Sequence, residues 1–421
     1  MTYRDVASKH VLTWAGTALG ARMPVAMAPL ALVFLVRERP GGYSLGALLA
    51  AAYAIGEIAG APVLGMRLRP ERARAQLTAG LAVGAAGFAG LGGFPDAPPA
   101  VLAVLAGVAG AAPAAATGAL RTLLTTLVPE RAAAQALSVE SILMAAVWAV
   151  SPAAVAGLAL GVAPAVPLRL AAALMAASVA GLWLLPAAWG PPGRQAVPLV
   201  RVLAGAWPVY ITGAASLTLL GLSELVLPAL LEQRGIDVGW SGPLLTGMAV
   251  GGGLGAFLHG LRAWPGRLRD HSVLLMTSMA VCVTLAALVP HTVGIAAVLV
   301  VGGMLQSAAM LTRNLSLREV LPPSALAAGY SVMYAAAGAG YAATGSLAGA
   351  LLRVVAPSTA VLAGVGVTLV LSGLGWWGEV WRAGRSARGA DDAGAAGRIR
   401  AGAEGAEGAA IGGRGDAERR L

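Results

Sequence analysis

Three ionisable residues, Arg22, Glu57 and Glu224, stand inside long apolar runs of this sequence. A charge in a hydrocarbon setting costs about 2.5–3.5 kcal/mol or more, so such a residue is kept where it pairs, carries a proton or faces water. Arg22 lies about 11 residues into its run and Glu57 about 9 residues from the end of the next. At 1.5 Å per helical residue the two reach similar depths, and an Arg22–Glu57 ion pair is expected. That pair has two readings: a permanent clasp between the first two helices, or a switch in which Glu57 takes a proton and releases Arg22. Glu224 lies four residues before Pro228 with no basic residue at its depth. It reads either as a second proton site or as a glutamate facing water beside Glu232 and Arg234. Arg121 and Glu140 fall near helix ends, where a structural, interfacial pair is expected. His259 is read as a hydrogen-bonding histidine, with a proton relay as the alternative.

Enzymatic chemistry finds little to work with. The four histidines, His10, His259, His271 and His291, have no metal-ligand spacing, and Cys282 is the single cysteine, so neither a disulfide nor a Cys-based zinc cage is available. No HExxH, Walker or GxGxxG pattern is present in its required context. No metal, cofactor or catalytic residue is expected.

The elements that must carry these residues are membrane helices. The chain is 58% hydrophobic and only 11% charged, too little polar surface to cover a water-soluble domain. Unbroken apolar runs exclude a barrel, whose strands alternate. At about 20 residues per span, twelve segments fit: near 11–36, 44–66, 76–94, 99–122, 138–161 and 165–188, then 204–231, 241–262, 272–290, 292–311, 326–351 and 357–381. The fold class is thus an all-α membrane protein with twelve transmembrane helices in two six-helix bundles. The expected domains are 1–189, a cytoplasmic linker 190–203 around Gly190-Pro191-Pro192-Gly193, a second bundle 204–382, and a disordered tail 383–421 with almost no large apolar residue. Polar residues precede the first run, which is too long for a signal-peptide core and is read as a retained span.

The net charge of +10 is a topology signal. With the N-terminus inside, 23 of the 29 Lys and Arg residues fall on the cytoplasmic side, whereas Arg37, Arg39, Arg234 and Arg353 alone fall outside. Both termini are therefore placed in the cytoplasm and the protein in the cell inner (plasma) membrane. Nucleic acid is not an expected partner, since basic residues of the tail alternate with acids and lack aromatics. Tryptophans including Trp14, Trp183, Trp264 and Trp381 are expected in an interfacial belt.

The sequence also repeats itself. Arg121, Leu127-Val128-Pro129 and Ser138 recur as Arg313, Val320-Leu321-Pro322 and Ser331 at an offset of about 192, near half the embedded length. With these residues the sequence resembles the major facilitator superfamily, over residues 1 to about 382. The loop Gly65-Met66-Arg67-Leu68-Arg69-Pro70-Glu71-Arg72-Ala73-Arg74 is similar to the family's gating loop, which implies gating roles for Gly65, Arg69, Arg72 and Arg74. Arg69 stands where the family has its acidic residue. Ser151, Pro152 and Gly157 resemble the family's antiporter motif, and Leu120-Arg121 to Val128-Pro129-Glu130-Arg131 resembles bacterial drug exporters. The resemblance implies alternating access by a secondary transporter of small hydrophobic or amphipathic molecules, proton-coupled and exporting, and acting as a monomer in the lipid bilayer. The alternatives are an uptake transporter of the same fold and a non-transporting scaffold or sensor.

Overall fold

The computed structural model describes residues 8–39, 42–186, 198–261, 264 and 266–384. Residues 190–197 of the expected linker and nearly all of the tail lie outside them, whereas the linker's last residues, 198–203, are described and run into a helix that starts at Leu199. The chain divides into two compact units, Met1–Gly375 and Trp376–Leu421.

Twelve helical segments run back and forth. The first half comprises α1 (Lys9–Val36), α2 (Gly42–Arg67), α3 (Ala73–Gly93), α4 (Pro99–Ala111) continued by α5 (Ala115–Thr126), α6 (Ala133–Gly161) and α7 (Val166–Leu184). The second comprises α8 (Leu199–Gly205), α9 (Trp207–Leu225), α10 (Leu227–Gln233), α11 (Ser241–Leu261), α12 (Leu268–Leu288), α13 (Thr292–Val320), α14 (Leu326–Leu351) and α15 (Pro357–Gly384). Among the described residues ten helical segments are long and apolar enough to cross a membrane, eleven when the pair Leu199–Gly205 and Trp207–Leu225, bent by 57°, counts as one. The remaining segment, α14, has the length, but Tyr330, Tyr334, Tyr341 and several Gly, Ser and Thr residues dilute its hydropathy. Large apolar side chains such as Leu48, Ile55, Val104, Leu160 and Val293 point outward, a surface that only lipid covers without penalty. The chain is a multi-pass membrane protein.

The proline positions explain where spans break. Pro113 interrupts the fourth span between α4 and α5, while Pro208 and Pro228 sit in the first turns of α9 and α10, where the missing N–H costs nothing. The seventh segment is consequently three helices, not the single run expected from hydropathy. Pro24, Pro29, Pro62 and Pro152 are instead carried inside continuous helices. Other boundaries move as well: α13 continues to Val320, nine residues past its apolar run, and takes Arg313 into the bundle, where it is fully buried rather than in a loop.

The repeat is visible in the turns. After Pro129, a single 3-10 turn (Glu130–Ala132) leads into α6 at Ala133, and after Pro322 a 3-10 turn (Pro323–Ala325) leads into α14 at Leu326. In the first half α1 packs on α2, α6 and α7, and α3 on α4 and α7; in the second, α13 packs on α11 and α12, and α9 on α14. The halves meet where α6 packs on α11 and where α14 packs on α2 and α5. These contacts gather toward the end that carries the α2–α3, α5–α6 and α13–α14 connections, called here the basic end for Arg67, Arg69, Arg72, Arg74 and Arg131.

Candidate functional site

Ser138 and Ser331, equivalent in the repeat, mark the two seams. Ser138 of α6 donates to the Ala256 carbonyl of α11. Ser331 of α14 lies against two first-half glycines: a Cβ on Gly65 would come within 2.6 Å of its Cβ, and one on Gly118 within 2.5 Å of its Oγ. Only glycine permits this approach of α2 and α5 to α14. A small cleft beside it is lined by Leu68, Ala119, Thr122, Pro323 and Ala327.

Deeper along the seam lies a buried ionic cluster. Glu140 of α6 is held between two arginines, accepting from Arg22 Nη2 on one oxygen and from Arg121 Nε at 2.6 Å on the other. Glu140 and Arg22 are 1% and 3% exposed, a setting in which a lone charge is untenable and a paired one persists. The Arg22 group also donates to the Thr117 carbonyl at 3.3 Å and stands over Trp14, 5.9 Å from the ring centre. Trp14 is fully buried and donates to the Leu120 carbonyl at 2.7 Å, so it supports this cluster instead of joining an interfacial belt. Arg121 crosses to the other half: its Nη1 donates to Asn314 Oδ1 at 3.1 Å, and its guanidinium lies 5.4 Å from the Tyr330 ring centre. Tyr330 donates in turn to the Asn314 carbonyl at 3.3 Å.

The expected Arg22–Glu57 pair is therefore absent, although Arg121 and Glu140 are together. Rotation about the helix axes decides the pairing: Arg22 faces α6, and its partner comes from there. Glu57, partly buried on α2, accepts instead from the Tyr334 hydroxyl of α14 at 2.9 Å, across the seam. One turn earlier on α2, the buried Tyr53 packs its ring 6.0 Å from Phe88 and leaves its hydroxyl without a hydrogen bond. Glu224, at the end of α9, accepts from Tyr341 of the same α14 at 2.9 Å.

The remaining predicted residues are dispersed. In the α2–α3 loop Arg69, Glu71 and Arg72 are exposed; the turn is tied by Arg69 N–H to Gln76 Oε1 at 2.9 Å and by Gln76 Nε2 to the Arg67 carbonyl at 3.1 Å. Arg74 binds the Leu185 carbonyl and lies over Trp183, bracing α3 on α7. Ser151 is buried inside the first half, while Pro152 and Gly157 face outward. His259 lies 3.4 Å from Thr312 Oγ1 and stacks on Trp264 at 5.2 Å. Among the described residues no group of three or more His, Cys, Asp or Glu is arranged to hold a metal.

Sequence reasoning missed Tyr53, Tyr330, Tyr334, Tyr341 and Asn314. For Tyr330, Tyr334 and Tyr341 a signal was present: the eleventh segment falls short of the hydropathy that the other spans reach, and Tyr334 and Tyr341 are seven residues apart, two turns along one face.

No family model matches the chain, and no curated protein matches it. Solved structures do. The human organic anion transporter MFSD10 aligns with a TM-score of 0.70 at 13% identity, covering 89% of this chain and 100% of that one. FucP, a major facilitator superfamily transporter in its outward conformation, gives 0.69 at 15%, covering 89% and 99%. A bacterial homologue of the iron transporter ferroportin, outward-facing, gives 0.71 at 15%, covering 88% and 98%. Two six-helix halves meeting along α2, α6, α11 and α14 thus give this chain the fold of the major facilitator superfamily transporters.

Proposed function

We propose that the protein is a secondary active transporter that moves small amphipathic molecules by alternating access, coupled to protons through Glu57. One observation carries this reading: the hydrogen bond from Tyr334 to Glu57 joins the two halves at a carboxylate that has no arginine bonded to it. An ionised Glu57 is the stronger acceptor, so the bond holds the seam closed at the basic end; a protonated Glu57 weakens it and favours parting of the halves. Titration of one group thereby biases a two-state movement. The groups that face it are Tyr53 on its own helix and Tyr334 on α14, with Arg22 and Arg121 in electrostatic range of Tyr334. Ser138, Ser331, Gly65 and Gly118 form the seal at the basic end, which the arginine distribution assigns to the cytoplasm. The loop residues Arg69, Arg72 and Arg74 orient the protein and brace its first half; the gating role that the family gives this loop falls here to Arg121 with Asn314 and Tyr330.

Export is the direction favoured by the likeness of Ser151, Pro152 and Gly157 to the antiporter motif. Uptake has one observation in its favour. In an antiporter, cargo and proton compete for a carboxylate, whereas here a proton on Glu57 leaves the neighbouring arginines less compensated, so that proton and cargo load together.

The test is flux in proteoliposomes under an imposed pH gradient of either sign, with a panel of amphipathic compounds. Substrate movement that follows the gradient and is lost in Glu57→Gln supports the reading, and its sign fixes the direction. Flux indifferent to the gradient removes proton coupling; absence of flux across the panel removes transport.

A further inference from the structure

We propose that the cargo site recognises an anion, with Arg22 as its anchor and the Tyr53 hydroxyl as a second donor. The inference rests on the transport reading for the word cargo, but not for the binding chemistry.

The buried cluster holds two guanidiniums against the one carboxylate bonded to them; Glu57 is bonded to Tyr334 instead, and when it takes a proton the cluster keeps a positive surplus. Membrane interiors do not tolerate uncompensated charge, so this surplus calls for a negative group. The hydrogen bonds point the same way. Arg22 spends Nη2 on Glu140 and Thr117, while its Nε and Nη1 make no hydrogen bond among the described residues. Tyr53, 1% exposed, leaves its hydroxyl free as well. Orphaned buried donors cost about 1–3 kcal/mol each and are rarely kept without a use. All of these free groups can donate, and an oxyanion is the ligand that offers only acceptors.

Arg22 and Tyr53 belong to different helices but share a neighbour, since both lie in electrostatic range of the Tyr334 hydroxyl. Access follows from the seam. Arg121 is covered by Asn314 and Tyr330, which belong to the other half, so parting the halves uncovers the cluster at the basic end. The first-half core to which the cluster belongs is aliphatic, with Met27, Leu120 and Leu123 among its buried residues, which suits an apolar tail behind a charged head. A carboxylic acid with a hydrocarbon chain combines the two. An ionised Glu57 opposes such a ligand and a protonated one does not, so binding tightens as pH falls.

The experiment uses the full chain in nanodiscs and three probes with the same eight-carbon tail: octanoate, octanol and octylammonium. Trp14, beside Arg22, supplies a fluorescence readout, checked by calorimetry. Octanoate is expected to bind at least about tenfold more tightly than the other two, and more tightly at about pH 6 than at about pH 8. Arg22→Gln is expected to lose about tenfold or more of the octanoate affinity while leaving octanol unchanged. If that variant fails to fold, Tyr53→Phe removes a hydroxyl with no structural partner, and it is expected to weaken octanoate alone by about three- to fivefold. Octanoate binding no better than octanol, or binding untouched by Tyr53→Phe and by folded Arg22→Gln, overturns the proposal. Selective octanoate binding without flux upholds the anion site while removing the transport reading; flux with no preference for anions does the reverse.

Discussion

Glu57 and Glu224 use the same chemistry to opposite architectural effect. Each carboxylate accepts one tyrosine hydroxyl at 2.9 Å, and both tyrosines come from α14, two turns apart. Tyr334 reaches into the first half, whereas Tyr341 stays within the second, where Thr218 and Thr344 add further bonds between α9 and α14. A bond inside one rigid body stabilises that body whichever way the halves stand. A bond between two bodies is made in one state and lost in the other, so its strength sets their equilibrium. Under the proposed coupling through Glu57, position relative to the seam, more than depth in the membrane, is what separates a carboxylate suited to coupling from one suited to structure.

The comparison breaks most severely at the third carboxylate. Replacing Glu140 by Gln leaves Arg22 and Arg121 buried without a counter-charge, a cost of about 3–5 kcal/mol, and folded yield with thermal stability should fall sharply in detergent. Glu57→Gln should keep the fold but reduce pH-driven flux by about a hundredfold, while Glu224→Gln should stay within about threefold of the parent. Equal losses in the two variants erase the distinction. Gly118→Leu forces a side chain onto Ser331 and the Ala327 carbonyl, so it should hold the basic end open and lower flux by about tenfold. Cysteine labelling of that face should rise in parallel. Tyr334→Phe should raise the same labelling by about three- to tenfold with little change in melting temperature. Tyr341→Phe should do the converse, costing about 1 kcal/mol of stability and leaving the labelling alone.

Hydropathy and charge made the fold legible, because lipid imposes the same requirement on every span. Residues whose side chains reach across helices were less so. Counting residues along the runs of Arg22 and Glu57 addresses only their depth, whereas a helix turns about 100° per residue and no single sequence records which neighbour a given face meets. Arg313 escaped because the hydropathy of its helix lapses before the helix itself ends. Arg121 and Glu140 were found together because their connection is short, which keeps α5 and α6 adjacent. The tyrosines were overlooked since a phenol in a membrane helix is cheap and raises no alarm by composition.

The seal at the basic end has a consequence for its behaviour in solution. It is made of glycine faces, two serines and a backbone carbonyl, with no ion pair among them. A closure built from charges loosens as salt rises, whereas one built from contact between uncharged surfaces does not sense the Debye length. These uncharged contacts should thus hold equally in dilute buffer and in brine, which leaves the bonds that Arg121 and Glu57 make across the same seam as the part that salt can weaken.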